Sequence, residues 1–365
     1  MAGPSEALVA VEAVRTPAAP AIEARARPYA PSWLDRLLDT IEALPGPNGL
    51  GFLAVFTGFV LLSLFEPWLM GAASPWRLVE KVYWGAVIGA QLAAAGYVRR
   101  VAATAFDAFR PALRIPEAEV LQLRYELTVI PALPAAAAVV VALLATAISL
   151  AINPAATGSK PLTGTLLAGA FGLQLTITSL MFVLLLQLFR QMGQIRRTLA
   201  RSAVVDVFRP GPLHAFSRLT SRSSAILLLF IGSTILVLPT SMPGEVFAVY
   251  WLPYLVVPPL VAAAAFILPL YGMHGRLVAE KERLQGETEE RLQALFAELN
   301  GDIDGRELAR ADGLNKSLMS LLLQRDVLAN LPTWPWSPGT LRGFLTAIFL
   351  PLVVFLLQQV VGRLI

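Results

Sequence analysis

Asn300, Asp302, Asp304 and Gly305 stand at positions 1, 3, 5 and 6 of a calcium-loop pattern, in which alternate oxygens of a tight turn enclose a hard cation. That pattern needs a bidentate Glu at position 12, and Ala311 stands there instead. Without those two oxygens the better reading is a turn between helices, with Asp304 capping the second helix near Gly305. Zinc fares no better: with two histidines and no cysteine, no three- or four-ligand His/Cys site can be assembled. The absence of cysteine also removes disulfides and thiolate nucleophiles. His274 follows an apolar run in Tyr271–Arg276, where a phospho-acceptor role would need a downstream nucleotide-binding domain that the sequence lacks. It is read as an interfacial residue. His214 lies beside Pro210, Gly211 and Pro212, which force a turn. No phosphate-cradling glycine loop and no nucleophile elbow occur. No cofactor and no metal are expected, and the reading is non-enzymatic.

What surrounds these residues is mostly hydrocarbon-compatible. The 365 residues are 56% hydrophobic and 15% charged with a mean hydropathy of +0.64, whereas soluble chains carry about 25% charged residues. From Leu127 to Ala279 only Asp206 and Glu245 are acidic. A bilayer core takes roughly 20 apolar helical residues, and about seven segments meet that need. They are Leu50–Met70, Glu80–Val98, Leu127–Ile152, Leu162–Phe189, Ala225–Pro239, Ala248–Leu270 and Gly343–Val361. The fifth is short and is expected to begin within the preceding Ser-rich stretch. Span interiors hold neutral polar residues (Gln91, Gln174, Thr176, Thr178, Ser179, Gln187, Gln358 and Gln359) but no ionisable group near the midplane, which argues against proton-coupled transport. Prolines at 131, 134, 253, 258, 259 and 351 predict kinks.

Arginine placement predicts orientation. The 25 Arg and 4 Lys alternate along the connections: a basic N-terminal tail, a poor first loop, then Arg99, Arg100, Arg110, Arg114 and Arg124. Lys160 stands alone, seven Arg follow from Arg190 to Arg222, then comes a connection with none, and a long charged segment ends at Arg342. The positive-inside rule then puts the N-terminus in the cytoplasm and the C-terminus outside a multi-pass cytoplasmic membrane protein. Trp and Tyr residues at the span boundaries read as interfacial anchors.

Helices in lipid associate through close backbone approach. Gly85 with Gly89, and Gly164 with Ala168 and Gly172, are candidate packing faces. Leu277, Leu284, Leu292, Leu295 and Leu299, with Thr288 in register, form a coiled-coil-like seam amid dense charge. They are the candidate partner-binding residues. A second helix after Asn300–Gly305 presents Leu314, Leu318, Leu321, Leu322, Leu328 and Leu331, which suits a hairpin. Arg190, Arg196, Arg197 and Arg201 are candidates for an anionic lipid or ligand, each cation near an anionic leaflet being worth ~1 kcal/mol.

The expectation is an all-α polytopic membrane protein with a cytoplasmic helical hairpin or coiled-coil insertion before the last span. Its parts are a disordered cytoplasmic tail (1–31), an amphipathic interfacial helix (32–46), a six-helix transmembrane region (48–271), the hairpin (272–332) and a final span (343–365). Expected partners are the lipid bilayer and a cytoplasmic protein or a second copy of the chain, and not nucleic acid. The expected function is a scaffold or signalling component that docks a partner on its hairpin. The competing expectation is a transporter or channel for an apolar or lipid-like substrate, built on the kinked third and sixth spans.

Overall fold

Alanine- and leucine-rich stretches favour helix almost throughout. The computed structural model describes residues 27–45, 49–70, 75–152, 165–201, 208, 211–235, 252–305 and 308–364, and these are helical with no strand among them. In chain order the helices are α1 (Trp33–Glu42), α2 (Leu50–Met70), α3 (Pro75–Phe109), α4 (Glu117–Thr128) and α5 (Ala132–Ile152). They continue as α6 (Thr165–Ala200), α7 (Gly211–Ile235), α8 (Leu252–Asp304), α9 (Leu308–Ala329) and α10 (Pro338–Leu364). Among the described residues, four helices carry stretches long and apolar enough to cross a membrane: Ala132–Ser149, Phe171–Ala200, Pro259–Asp304 and Pro338–Leu357. A shorter apolar helix covers Leu50–Leu64.

Helices pair in sequence order and then cross. The pairs are α2 on α3, α5 on α6, α9 on α8 and α10 on α7, while α6 and α7 contact each other and both α3 and α8 to form the middle of the bundle. At one end of it, Phe106 and Phe109 of α3, Leu123 of α4, Ile195 of α6, Phe216 of α7 and Met273 of α8 are buried in a single apolar cluster. A second cluster joins Leu34 and Leu38 of α1 to Ile88 and Leu92 of α3, Ala135 of α5 and Leu180 of α6.

Several boundaries differ from the expected spans. Leu127–Ile152 is not one helix: α4 ends at Thr128, Val129 and Ile130 are extended, and α5 begins at Ala132. Pro131 forbids helix at the residue before it, so it starts a helix here instead of kinking one. Pro258 and Pro259 lie within α8, which continues for 53 residues. At 1.5 Å per residue α8 is roughly 80 Å long, far beyond the ~30 Å of hydrocarbon, so a large part must project from any bilayer it crosses. Nor does it break at Asn300; the turn comes at Gly305. The proline-flanked turn near Pro212 is the start of α7, with Pro212 in the first turn, where its missing N–H costs nothing. Tyr29–Pro31, which composition places in the disordered tail, include a bend at Tyr29 and a bridge from Pro31 to Pro131, whereas residues 1–26 lie outside the described residues.

Candidate functional site

The N-terminal segment forms the most densely bonded site among the described residues. Ser32 and Asp35 make a capping box at the start of α1: Asp35 N donates to Ser32 Oγ (3.1 Å) and Ser32 N donates to Asp35 Oδ2 (3.3 Å). The same carboxylate accepts from Ser32 Oγ (2.6 Å) and, across the bundle, from Ile130 N (3.0 Å). Ile130 lies in the break between α4 and α5, so a local cap becomes a tertiary clasp. Two backbone bonds flank it, Ser32 N to Ile130 O (2.9 Å) and Ala132 N to Ala30 O (3.1 Å). Tyr29 Oη donates to Val129 O (3.0 Å), and Tyr125 Oη donates to Tyr29 O (2.8 Å). Carbonyl and amide groups freed by the break thus find partners in residues 29–35.

Burial sets the electrostatics of the clasp. It pushes the Asp35 carboxyl above its ordinary value, against the opposing pull of the bonds from Ser32 and Ile130 and the charge of Arg99. It pushes the Tyr29 phenol up to about 12 despite the neighbouring Arg190. Tyr29 therefore stays a neutral donor at physiological pH.

The amphipathic pattern of α1 suits either the headgroup plane or another protein face. The buried face of α1, Leu34, Leu38 and Ile41, is covered by helices of this chain. Arg99 holds its polar face, donating to Asp39 (2.6 Å) and Glu42 (2.5 Å). An apolar stripe must be buried, and the bundle does it here.

The four arginines fare differently. Arg190, half-buried, donates to Tyr29 Oη (3.1 Å) and lies over its ring, 5.5 Å from the centroid. Arg201 pairs with Glu119. Arg196 and Arg197 are exposed and, among the described residues, make no ion pair. Arg276 of α8 donates to Leu199 O (3.0 Å) and Ala200 O (3.4 Å), supplying a cation to the last carbonyls of α6. Arg190→Ala is expected to lower stability by about 1 kcal/mol, through loss of one hydrogen bond and one cation–π contact, as a small fall in melting temperature would register.

The seam residues are partly used up inside the chain. Leu277, Thr288 and Leu292 are buried, Leu284 packs against the five-helix cluster, and Leu295 and Leu299 are half-buried. α9 folds back along α8, burying Leu318 and Leu328. Lys281 Nζ ties the far end of α9 to α8 by donating to Ala329 O (2.7 Å) and Leu331 O (3.0 Å). The opposite face of α9 stays open: Met319, Leu323 and Val327, four residues apart, are 60%, 67% and 46% exposed.

Beyond α9 the chain passes through a stack of rings. His274 lies flat on Trp334 (centroids 3.8 Å apart, 5° between planes), Trp334 on Trp336 (4.4 Å), and Trp336 on Phe266 (5.2 Å). His274 Nδ1 is 3.0 Å from Thr333 O. The stack links α8 to the segment before α10. The indole spacing at 334 and 336 was the available signal. Among the described residues no group of three or more His, Asp or Glu side chains converges at metal-binding distance, and Asn300–Asp304 are helical, not a ligand loop.

Of the packing glycines, Gly85 and Gly89 lie against α2. A Cβ at Gly85 would meet Phe59 O at 2.6 Å, and one at Gly89 would meet Phe56 Cα at 2.6 Å. Gly172 has no neighbour among the described residues within 4 Å of such an atom, and Gly164 lies outside the described residues. Comparison with known protein families, curated proteins and solved structures finds no match.

Proposed function

We propose that this chain is a non-enzymatic scaffold or signalling component of a cell membrane, which binds a protein partner through the outer face of the α8–α9 hairpin. The exposed stripe Met319–Leu323–Val327 carries the reading, because its apolar side chains recur on one face with no cover among the described residues. A helix presenting anchors at this spacing suits a complementary groove or a second copy of the hairpin. The first seam leucines, Leu277 and Leu284, are taken up by the bundle's apolar cluster, and Leu295 and Leu299 are less buried.

In this reading α2, α3, α5, α6, α7, α8 and α10 make seven crossings, with the N-terminus cytoplasmic and the C-terminus outside. Contacts among the arginine-rich segments support a common side for them. Tyr29 meets Arg190, Arg99 meets Asp39 and Glu42, Glu119 meets Arg201, and Arg276 meets the end of α6. Arg196 and Arg197 then face anionic headgroups. A carrier for apolar substrates is less well supported, because the break at Val129–Ile130 is filled by the clasp.

Deleting residues 279–331 is expected to abolish recovery of partners in a crosslinked pull-down from native membranes while the rest still inserts. Replacing Met319, Leu323 and Val327 together by serine should weaken recovery at least ~10-fold, a loss of about 1.4 kcal/mol shared among three apolar anchors. An unchanged set of partners would sink the scaffold reading.

A further inference from the structure

We propose that a cavity between α3, α6 and α7 is a hydration site, in which a bound water serves the amides of Gln187 and Gln191 and the hydroxyl of Ser223. Val98, Met181 and Phe230 are among the side chains that wall it, and about 20 Å³ is open to the centre of a water molecule. A water needs about 10–15 Å³ on that measure, together with two to four polar partners. Gln187, Gln191 and Ser223 line the same space and are only 5%, 3% and 7% exposed.

Their polar atoms call for an occupant. Gln187 Oε1, both amide atoms of Gln191 and Ser223 Oγ are buried without a hydrogen-bond partner among the described residues. Unpaired polar groups are penalised in an apolar interior. Neighbouring hydroxyls show that the helices could have satisfied Ser223 themselves. Thr198, Ser217, Thr220 and Ser233 all donate to carbonyls of their own helix. Ser223 does not.

The free atoms also define the ligand class. Gln191 leaves both its N–H groups and its carbonyl oxygen unpaired, so the occupant must accept and donate. A metal ion or an ammonium cannot accept, an ionised carboxylate cannot donate in return, and a phosphate is too large for a space of about 20 Å³. A neutral molecule of water's size does both. Such a site sits where three central helices meet, and it hydrates the bundle without placing an ionisable group there.

Radiolytic footprinting of the full-length protein in lipid nanodiscs tests this, because radicals formed from a bound water oxidise the side chain beside it. With a scavenger removing radicals from bulk solvent, Met181 should be oxidised rapidly. The Gln187→Leu/Gln191→Leu variant should lower its rate at least ~5-fold, while exposed Met319 keeps its rate. An equal rate at Met181 in both proteins would overturn the site, as would an organic ligand that native mass spectrometry finds on the wild type and not on the variant. Should the double leucine variant fail to insert, Ser223→Ala carries the same comparison with almost no change of volume: a slower rate supports the site, and an unchanged rate refutes it.

Discussion

Asp35→Ala should cost this protein about 3 kcal/mol, far more than the loss of an ordinary surface charge. The alanine removes an acceptor from Ser32 N, Ser32 Oγ and Ile130 N at once. Loss of a helix cap alone costs about 1 kcal/mol, and a buried donor left unpaired costs about 1–3 kcal/mol more. Ile130 N–H has no helical carbonyl to fall back on, because the helix before it ends at Thr128. Thermal melts in detergent would register the loss, and limited proteolysis between α1 and α2 would show whether the clasp has opened. Asp35→Asn keeps one acceptor oxygen at the same place and should retain more than half of the stability. If the two variants melted alike, the bond to Ile130 would not be what holds α1.

The same pair of proteins yields a pH signature. Burial raises the Asp35 carboxyl above its ordinary range in the folded chain. A carboxyl with a higher pKa when folded binds more protons in the native state, so its contribution is full below the unfolded pKa and falls as pH rises through the folded one. The wild type should therefore gain on Asp35→Asn as pH drops from ~7 toward ~4.5, the range above the unfolded carboxylate pKa. A difference in melting temperature that instead widened as pH rose would show that the hydrogen bonds, and not desolvation, control this group.

Asp35 also marks how far local pattern reaches. Ser32 followed by Asp35 is a cap that three residues suffice to reveal, whereas the bond to Ile130 spans 95 positions and depends on packing that no window contains. α1 teaches the same lesson: spacing shows that Leu34, Leu38 and Ile41 need cover, but lipid and protein are both apolar and the pattern cannot choose between them. Hydropathy merged α4's end with α5 because Leu127, Val129 and Ile130 are as apolar as the α5 residues after them. Pro131 and Pro134, close together at a helix start, were the better signal. Along α8, spacing shows that Leu277 and Leu292 need cover, while the open stripe on α9 is not legible from spacing. Leu314, Leu318, Leu321 and Leu322 spread apolar groups around α9, and only the packing on α8 decides which face is left outside.

Gly89→Val should loosen the bundle between α2 and α3, with a loss of about 1–3 kcal/mol from overpacking and more from the burial lost with it. A Cβ there would stand 2.6 Å from Phe56 Cα, and one at Gly85 would stand 2.8 Å from Val60 Cα. Side-chain tips can rotate away from an intruding methyl; backbone atoms cannot. α2 must therefore move off α3, which withdraws Phe52 from the cluster that holds Ile88 and Leu92. Gly172→Val supplies the contrast, since that position has nothing among the described residues within 4 Å to strike. Its effect should stay within about 0.5 kcal/mol, as for substitutions away from packed sites. Both changes add the same β-branched side chain to a glycine within a helix, so propensity largely cancels between them. Equal melting temperatures for the two variants would mean that α2 and α3 do not depend on close approach. A large deficit at Gly89 alone would tie the α2–α3 pair to backbone contact, the kind of association that helices need where lipid tails give no hydrophobic reason to meet.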